Sequence, residues 1–302
     1  MALPSKSFGH SLLLLLTAVI WGFAFVAQRA GMEHIGPFLF NGCRFLLGSL
    51  SLLPILLVRS RRMREISGAN PCSPTTRAGL ALVGVVLFGA AALQQAGLVY
   101  TTAGKAGFIT GLYVLLVPVI GRFLGQQVTW KVWTGAAAAV GGLYLLVGFE
   151  EGGTLFGDGL VLAGAFGWAV HVQLVGWLVR RIEPMRIAFV QTAVCGMLSL
   201  AVASVAESMP LLGLRAAVPA IAFAGIFSVG IAYTLQIVGQ RHVDPSRAGI
   251  LVSLEAVFAV FGGWLLLGEQ VTGVMLLGAA LMLSGMILAQ VRRRARAIKG
   301  SF

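Results

Sequence analysis

GQQVTWKVWTGAAAAVGG at residues 125–142 and GEQVTGVMLLGAALMLSG at residues 268–285 are two versions of one text. Gly125-Gln126-Gln127-Val128 aligns with Gly268-Glu269-Gln270-Val271, Gly135-Ala136-Ala137 with Gly278-Ala279-Ala280, and Gly142 with Gly285, all at an offset of 143 (268 minus 125). Further out, Leu93-Gln94 and Gly97 pair with Leu235-Gln236 and Gly239, and Ala106-Gly107 with Ala248-Gly249, at 142 (248 minus 106). Trp21 pairs with Trp168 and Pro37 with Pro184 at 147 (168 minus 21). Matches among Gly and Ala alone carry little weight. A near-constant offset that also spans Trp, Pro and Gln marks a repeat, dividing the chain into residues 1–149 and 150–302.

Each copy is built of apolar segments. The chain has 302 residues, 58% hydrophobic and 11% charged, whereas a soluble domain carries about 25% charged residues. So little charge excludes a typical soluble enzyme, a disordered chain and a secreted disulfide scaffold. A membrane span needs about 20 apolar residues. Ten segments qualify: about 11–28, 36–58, 78–100, 106–124, 132–149, 159–179, 187–206, 216–238, 248–267 and 271–290. Most hold no charge; Arg44, Arg122 and Glu255 are the exceptions. Met1 to Ala27 has the look of a signal peptide, but no clear A-x-A site follows and nine more apolar segments do, so it reads as the first span. The expected fold is an all-α integral membrane protein of ten transmembrane helices. Five spans per repeat is an odd number, so the second copy enters the membrane from the opposite side. Such inverted repeats are typical of secondary transporters, because two similar halves can exchange conformations and alternate access to a central site.

The net charge of +12 follows this topology. With the N-terminus inside, one side receives Lys6, Arg59, Arg61, Arg62, Arg64, Arg77, Arg122, Lys131, Arg180, Arg181, Arg186, Arg241, Arg247, Arg292, Arg293, Arg294, Arg296 and Lys299. The other receives Arg29, Lys105 and Arg215. Cationic loops stay inside, so both termini are expected in the cytoplasm, and the basic excess needs no nucleic-acid partner. The C-terminal RRRAR cluster reads as a stop-transfer anchor that can also touch anionic lipid. Cys43, Cys72 and Cys195, without CxxC spacing, offer neither a disulfide framework nor a metal knuckle.

At this point a family resemblance emerges. The chain resembles the EamA branch of the drug/metabolite transporter superfamily over nearly its whole length. Trp21-Gly22, the run Ala103-Gly104-Lys105-Ala106-Gly107-Phe108-Ile109-Thr110-Gly111-Leu112-Tyr113, Pro118, and Leu265-Leu266-Leu267-Gly268-Glu269 carry it. It departs at Ala256, where the family often has proline, and at Gly125-Gln126, where Gly-Glu is commoner. The missing proline leaves open whether span nine has a helix break. The resemblance implies ten helices, both termini inside and export of small metabolites. Within the family the chain looks most like the bacterial aromatic-amino-acid exporters, which places it in the bacterial inner membrane.

Candidate site residues come from depth. At about 1.5 Å per residue, Trp21 lies about 15 Å in from its end of span one, and Trp168 at a similar depth in span six. Tryptophan ordinarily prefers the interface. Two at mid-membrane point either to a wet cavity with an aromatic floor or to packing beside Gly22 and Gly167. Gln94 and Gln236 are equivalent by the repeat, as are Tyr113 and Glu255. We expect two polar layers flanking the Trp pair: Gln94 with Tyr113, and Gln236 with Glu255. The alternative is interhelical hydrogen bonding, worth about 0.6 kcal/mol on average. Glu255, the sole acid clearly inside a span, costs about 2.5–3.5 kcal/mol to insert and is functional by default. It can bind an ammonium, carry a proton or pair with a neighbour. His171 shares a helix face with Trp168 and is either a pH-sensitive cavity group or a structural hydrogen-bonding one. Tyr233, Gln236 and Gln240 form a polar stripe on span eight. Arg44 snorkels, pairs with an acid or attracts a carboxylate. Tyr100 and Lys105 mark the outer mouth, either steering substrate or anchoring the interface, and Gln240 the inner end. Spans five and ten, with their repeated Gly-Ala-Ala, read as scaffold or as homodimer contacts.

Other chemistry lacks its motifs. His10, His34, His171 and His242 are scattered, and HExxH, DDxxD and a Walker loop are missing, so no enzyme activity, metal or cofactor is expected. Neither rings of like charge nor a filter loop suggests a channel. The sequence points to a secondary exporter of small metabolites, with aromatic and large apolar amino acids as the expected cargo. The bilayer is its expected surroundings. Export of other metabolites or drugs, a channel and a lipid scramblase are the alternatives.

Overall fold

The structure is a computed structural model and describes residues 6–67, 73–101, 103–147, 154–208, 210–267 and 270–290. The helices are α1 (Lys6–Met32), α2 (Pro37–Ser67), α3 (Pro74–Leu98), α4 (Ala103–Gly111), α5 (Tyr113–Phe123), α6 (Trp130–Val147), α7 (Leu155–Leu178), α8 (Pro184–Ala206), α9 (Leu211–Phe223), α10 (Tyr233–Gln240), α11 (Pro245–Val252), α12 (Glu255–Leu267) and α13 (Gly273–Gln290). A π-helical stretch, Ala224–Ala232, joins α9 to α10. No strand occurs among the described residues.

Helix starts follow local chemistry. Pro37, Pro74, Pro184 and Pro245 each open a helix, where a missing N–H costs nothing. Ser73, Thr154 and Glu183 cap α3, α7 and α8 by accepting from the backbone N–H of Thr76, Gly157 and Arg186. Gly125 turns the chain from α5 into α6 at φ 77°, a left-handed conformation that favours glycine.

Among the described residues nine segments are long and apolar enough to cross a bilayer, with α4–α5, α9–α10 and α11–α12 each making one. Together with α6, all ten segments read from the sequence are helical. The face where α1 begins is the near face, and the one where it ends the far face. Span four breaks at Leu112, and span nine at Ser253–Leu254. The two breaks are 142 residues apart (254 minus 112), so they are equivalent by the repeat. Span nine therefore breaks without proline, a point the sequence left open. The cause is a tightened turn: Leu254 and Ala256 donate to Leu251 and Ser253, three residues back instead of four. Leu112 donates to Ile109 in the same way.

The packing obeys the repeat as well. α1 lies against the π segment, α10 and α12; its equivalent α7 lies against α3, α4 and α5. α2 packs on α8, and α6 on α13. A Cβ on Gly135 would meet Gly285 O at 2.6 Å, and one on Gly278 would meet Gly142 O at 2.6 Å. Because Gly135 is equivalent to Gly278 and Gly142 to Gly285, residue i meets j′ while j meets i′. That reciprocity is the mark of a two-fold axis, here within one chain. The small faces of α6 and α13 are thus spent on each other.

Candidate functional site

The two breaks and the two tryptophans converge at the centre of the bundle. Trp21, Gln28, Arg44, Gln94, Thr110, Tyr113, Trp168, Val172, Ser228, Tyr233, Gln236, Val252 and Glu255 line one cavity. They come from both halves. The cavity has about 50 Å³ of room, enough for a few waters, each needing about 15 Å³. A larger solute requires the helices to part.

Aromatic rings form its floor. Tyr233 sits between the two tryptophans: its ring centroid is 4.8 Å from that of Trp21, edge-on, and 6.5 Å from that of Trp168, stacked at 23°. Trp21 Nε1 donates to Ser228 O at 3.0 Å, which places a carbonyl of the π segment under the indole. π turns recur at functional sites. Trp168 Nε1 is buried and has no partner among the described residues.

The polar groups arrange themselves differently from the two layers expected. Gln94 Nε2 donates to Thr110 Oγ1 at 3.0 Å, so its partner is Thr110 rather than Tyr113. The Tyr113 hydroxyl lies beside the Glu255 carboxyl without meeting a partner at hydrogen-bonding geometry. The physical reason lies in the breaks. Tyr113 and Glu255 are the first residues of α5 and α12, and the breaks aim both at the axis between the halves. One mixed cluster replaces two separate layers. Gln236 Oε1 is buried there without a partner among the described residues.

Three expected residues lie elsewhere. His171 is fully buried behind the floor, its ring 6.0 Å from Trp168 and 6.1 Å from Tyr233. Its Nε2 meets Gln191 Oε1 at 3.0 Å, and it does not line the cavity. Gln240 is buried and donates to Val172 O at 3.0 Å; it ties α10 to α7 and opens on no mouth. Helical spacing put it on the Tyr233 face, but α7 covers that face one turn on. Tyr100 is about half exposed at the far end of α3. It packs on Phe156 at 5.4 Å, and its carbonyl accepts from Thr154 N. The Lys105 side chain, Cys72 and Glu269 lie outside what the structure describes.

Thr110, Ser228, Gln28 and Arg44 complete the lining. The first three were not singled out from the sequence, although a polar residue inside an apolar span is itself a signal.

A bundle of inverted halves, with broken helices meeting at a mid-membrane cavity of mixed polar and aromatic lining, is the build of a membrane transporter. The comparisons agree. The profile of the EamA-like transporter family matches residues 9–148 and again 155–290, and the chain belongs to that family. It is 30% identical to an uncharacterized transporter of Archaeoglobus fulgidus over 280 residues, 92% of this chain and 85% of that protein. It is 25% identical to the uncharacterized inner membrane transporter YedA of Escherichia coli over 276 residues, 89% of this chain and 87% of the relative. The uncharacterized transporter YoaV of Bacillus subtilis is 23% identical over 283 residues. A solved crystal structure shares the fold with a TM-score of 0.78 at 20% identity, covering 93% of this chain and 96% of its own.

Proposed function

We propose that the protein is a secondary transporter that exports small amphipathic metabolites, with aromatic and large apolar amino acids as its cargo. Residues 1–149 and 150–302 act as the two halves that alternate access. The observation that carries this reading is the composition of the central cavity. Trp21, Tyr233 and Trp168 offer ring faces and edges, which favour an aromatic or bulky apolar side chain. Gln94, Gln236, Tyr113 and Glu255 offer donors and acceptors to an amino-acid headgroup. The cationic loops support an orientation with both termini in the cytoplasm of a bacterial inner membrane.

The test is counterflow. Protein in liposomes loaded with mixed unlabelled amino acids is given each labelled amino acid in turn. Accumulation of aromatic and large apolar species, and not of small polar ones, is the expected result. No counterflow of any amino acid, in vesicles shown to be tight and loaded, overturns the assignment of cargo and leaves the fold standing.

A further inference from the structure

Among the described residues Arg44 is the one cation that lines the central cavity. It lies on α2 and is buried, and a charge at this depth costs about 2.5–3.5 kcal/mol on insertion scales. Among the described residues it meets no carboxylate. What it does meet is a cradle. Its Nε donates to Asn41 Oδ1 at 2.9 Å, and Asn41 Nδ2 in turn reaches Ala91 O on α3 at 3.4 Å. The guanidinium carbon lies 5.6 Å from the ring centre of Phe40 and 4.9 Å from that of Phe45.

This cradle engages Nε and sets two aromatic rings close to the guanidinium. Such rings attract the cation through their quadrupoles, and the pinned amide restrains its rotation. Among the described residues only Nε is hydrogen-bonded, so the two terminal nitrogens remain available to a ligand in the cavity that Arg44 lines. A planar pair of N–H donors, held rigid in a site poor in water, is the partner of a carboxylate. Tyr233 lies within electrostatic reach of both Arg44 and Glu255. The aromatic floor therefore shares its cavity with a fixed cation and a carboxyl group.

We propose that Arg44 is the receptor for a carboxylate on the transported solute, and that it restricts the cargo to molecules carrying one. The assignment rests on the transporter reading of the same cavity and narrows its substrate class. A zwitterion places its carboxylate at Arg44 and its ammonium toward Glu255. An amine with the same apolar group leaves the fork without an acceptor, and an amide offers one neutral carbonyl oxygen in place of a charged pair, so both bind less tightly to a charged, buried donor.

The test is titration of the detergent-solubilised protein, followed by tryptophan fluorescence, with L-phenylalanine, phenylacetate, phenylalaninamide and phenethylamine. Phenylalanine and phenylacetate should bind about tenfold or more tightly than the other two. Arg44→Gln should erase that difference. Arg44→Lys, which keeps the charge and loses the fork, should weaken phenylacetate about tenfold, and it carries the test if Arg44→Gln fails to fold. Equal binding of acid and amine by the unaltered protein, or an undiminished carboxylate preference in the variants, overturns the assignment. If no aromatic compound binds, the aromatic part of the cargo reading fails by itself. The Arg44 assignment is then read from the shift in melting temperature with 4-methylpentanoate against isopentylamine. A carboxylate preference lost in Arg44→Gln sustains it there, and no preference overturns it.

Discussion

Trp21 does two jobs with one side chain. Its ring meets Tyr233 edge-on, and its N–H holds the carbonyl of Ser228. A favourable aromatic pair and a hydrogen bond are each worth about 1 kcal/mol. Trp21→Phe should keep the first and lose the second; Trp21→Ala should lose both and lower affinity for aromatic solutes about tenfold, read from counterflow at varied concentration. An equal affinity in Trp21→Ala would remove the ring from the site. Glu255 is the carboxyl group of the same cavity and its candidate proton carrier. Glu255→Gln keeps the shape and removes the ionisable group. If Glu255 carries a coupling proton, exchange persists in that variant while flux driven by a pH gradient is lost. Gradient-driven flux surviving in Glu255→Gln would give the proton another route. At this scale the sequence was informative about which residues mattered and silent about partners. Depth alone brought out Trp21, Trp168 and Glu255. That Gln94 would find Thr110 and that His171 would turn to Gln191 depends on helix rotation, which a near-uniformly apolar helix does not encode.

The elements show why the ten spans were legible and their interruptions were not. A span announces itself by length and apolarity. The break at Leu112 adjoins Gly111, and the π stretch holds Gly225 and Gly230, but in a chain with 40 glycines these mark nothing by themselves. Ser253–Leu254 has neither proline nor glycine. By contrast, the small faces of α6 and α13 stood out in the opening repeat, although the sequence left open whether they serve as scaffold or as homodimer contacts. Gly142→Ala would push a methyl group into Gly278 O, 2.5 Å from the ideal Cβ position, and a backbone oxygen cannot swing aside. Overpacking of this kind costs about 1–3 kcal/mol. The melting temperature in detergent should fall, whereas Gly89→Ala, with nothing within 4 Å of its Cβ, should leave it unchanged. Equal melting of both variants would mean that the two helices can separate without loss. A second element-scale device sits at the far face. Glu207, where α8 ends, accepts from the backbone N–H of Phe38 and Leu39 at 2.8 Å each and so caps α2 from another helix. Glu207→Ala should cost about 1 kcal/mol and speed alkylation of a cysteine placed at Gln94, because the cap helps hold the far ends of α2 and α8 together.

At the scale of the whole molecule, symmetry and charge make separate statements. The two-fold relation of α6 and α13 gives the halves opposite senses in the membrane but does not say which face is inside. Charge does. The near face carries Arg77, Arg122, Lys131, Arg180, Arg181, Arg186, Arg241 and Arg247, and the far face carries Arg29, Lys105 and Arg215. Cationic loops are retained on the cytoplasmic side, so the near face should be cytoplasmic. The prediction uses two exposed positions on opposite faces, Gln127 in the turn after α5 and Leu211 at the start of α9. In a Cys72→Ser background, intact cells should label Leu211→Cys with a membrane-impermeant maleimide, and Gln127→Cys only after permeabilisation. The reverse pattern would invert the protein and overturn the topology read from charge. Labelling of both positions in intact cells would mean dual orientation. An inverted repeat tolerates that structurally, since each half already occupies the orientation of the other, but the uneven distribution of arginine opposes it.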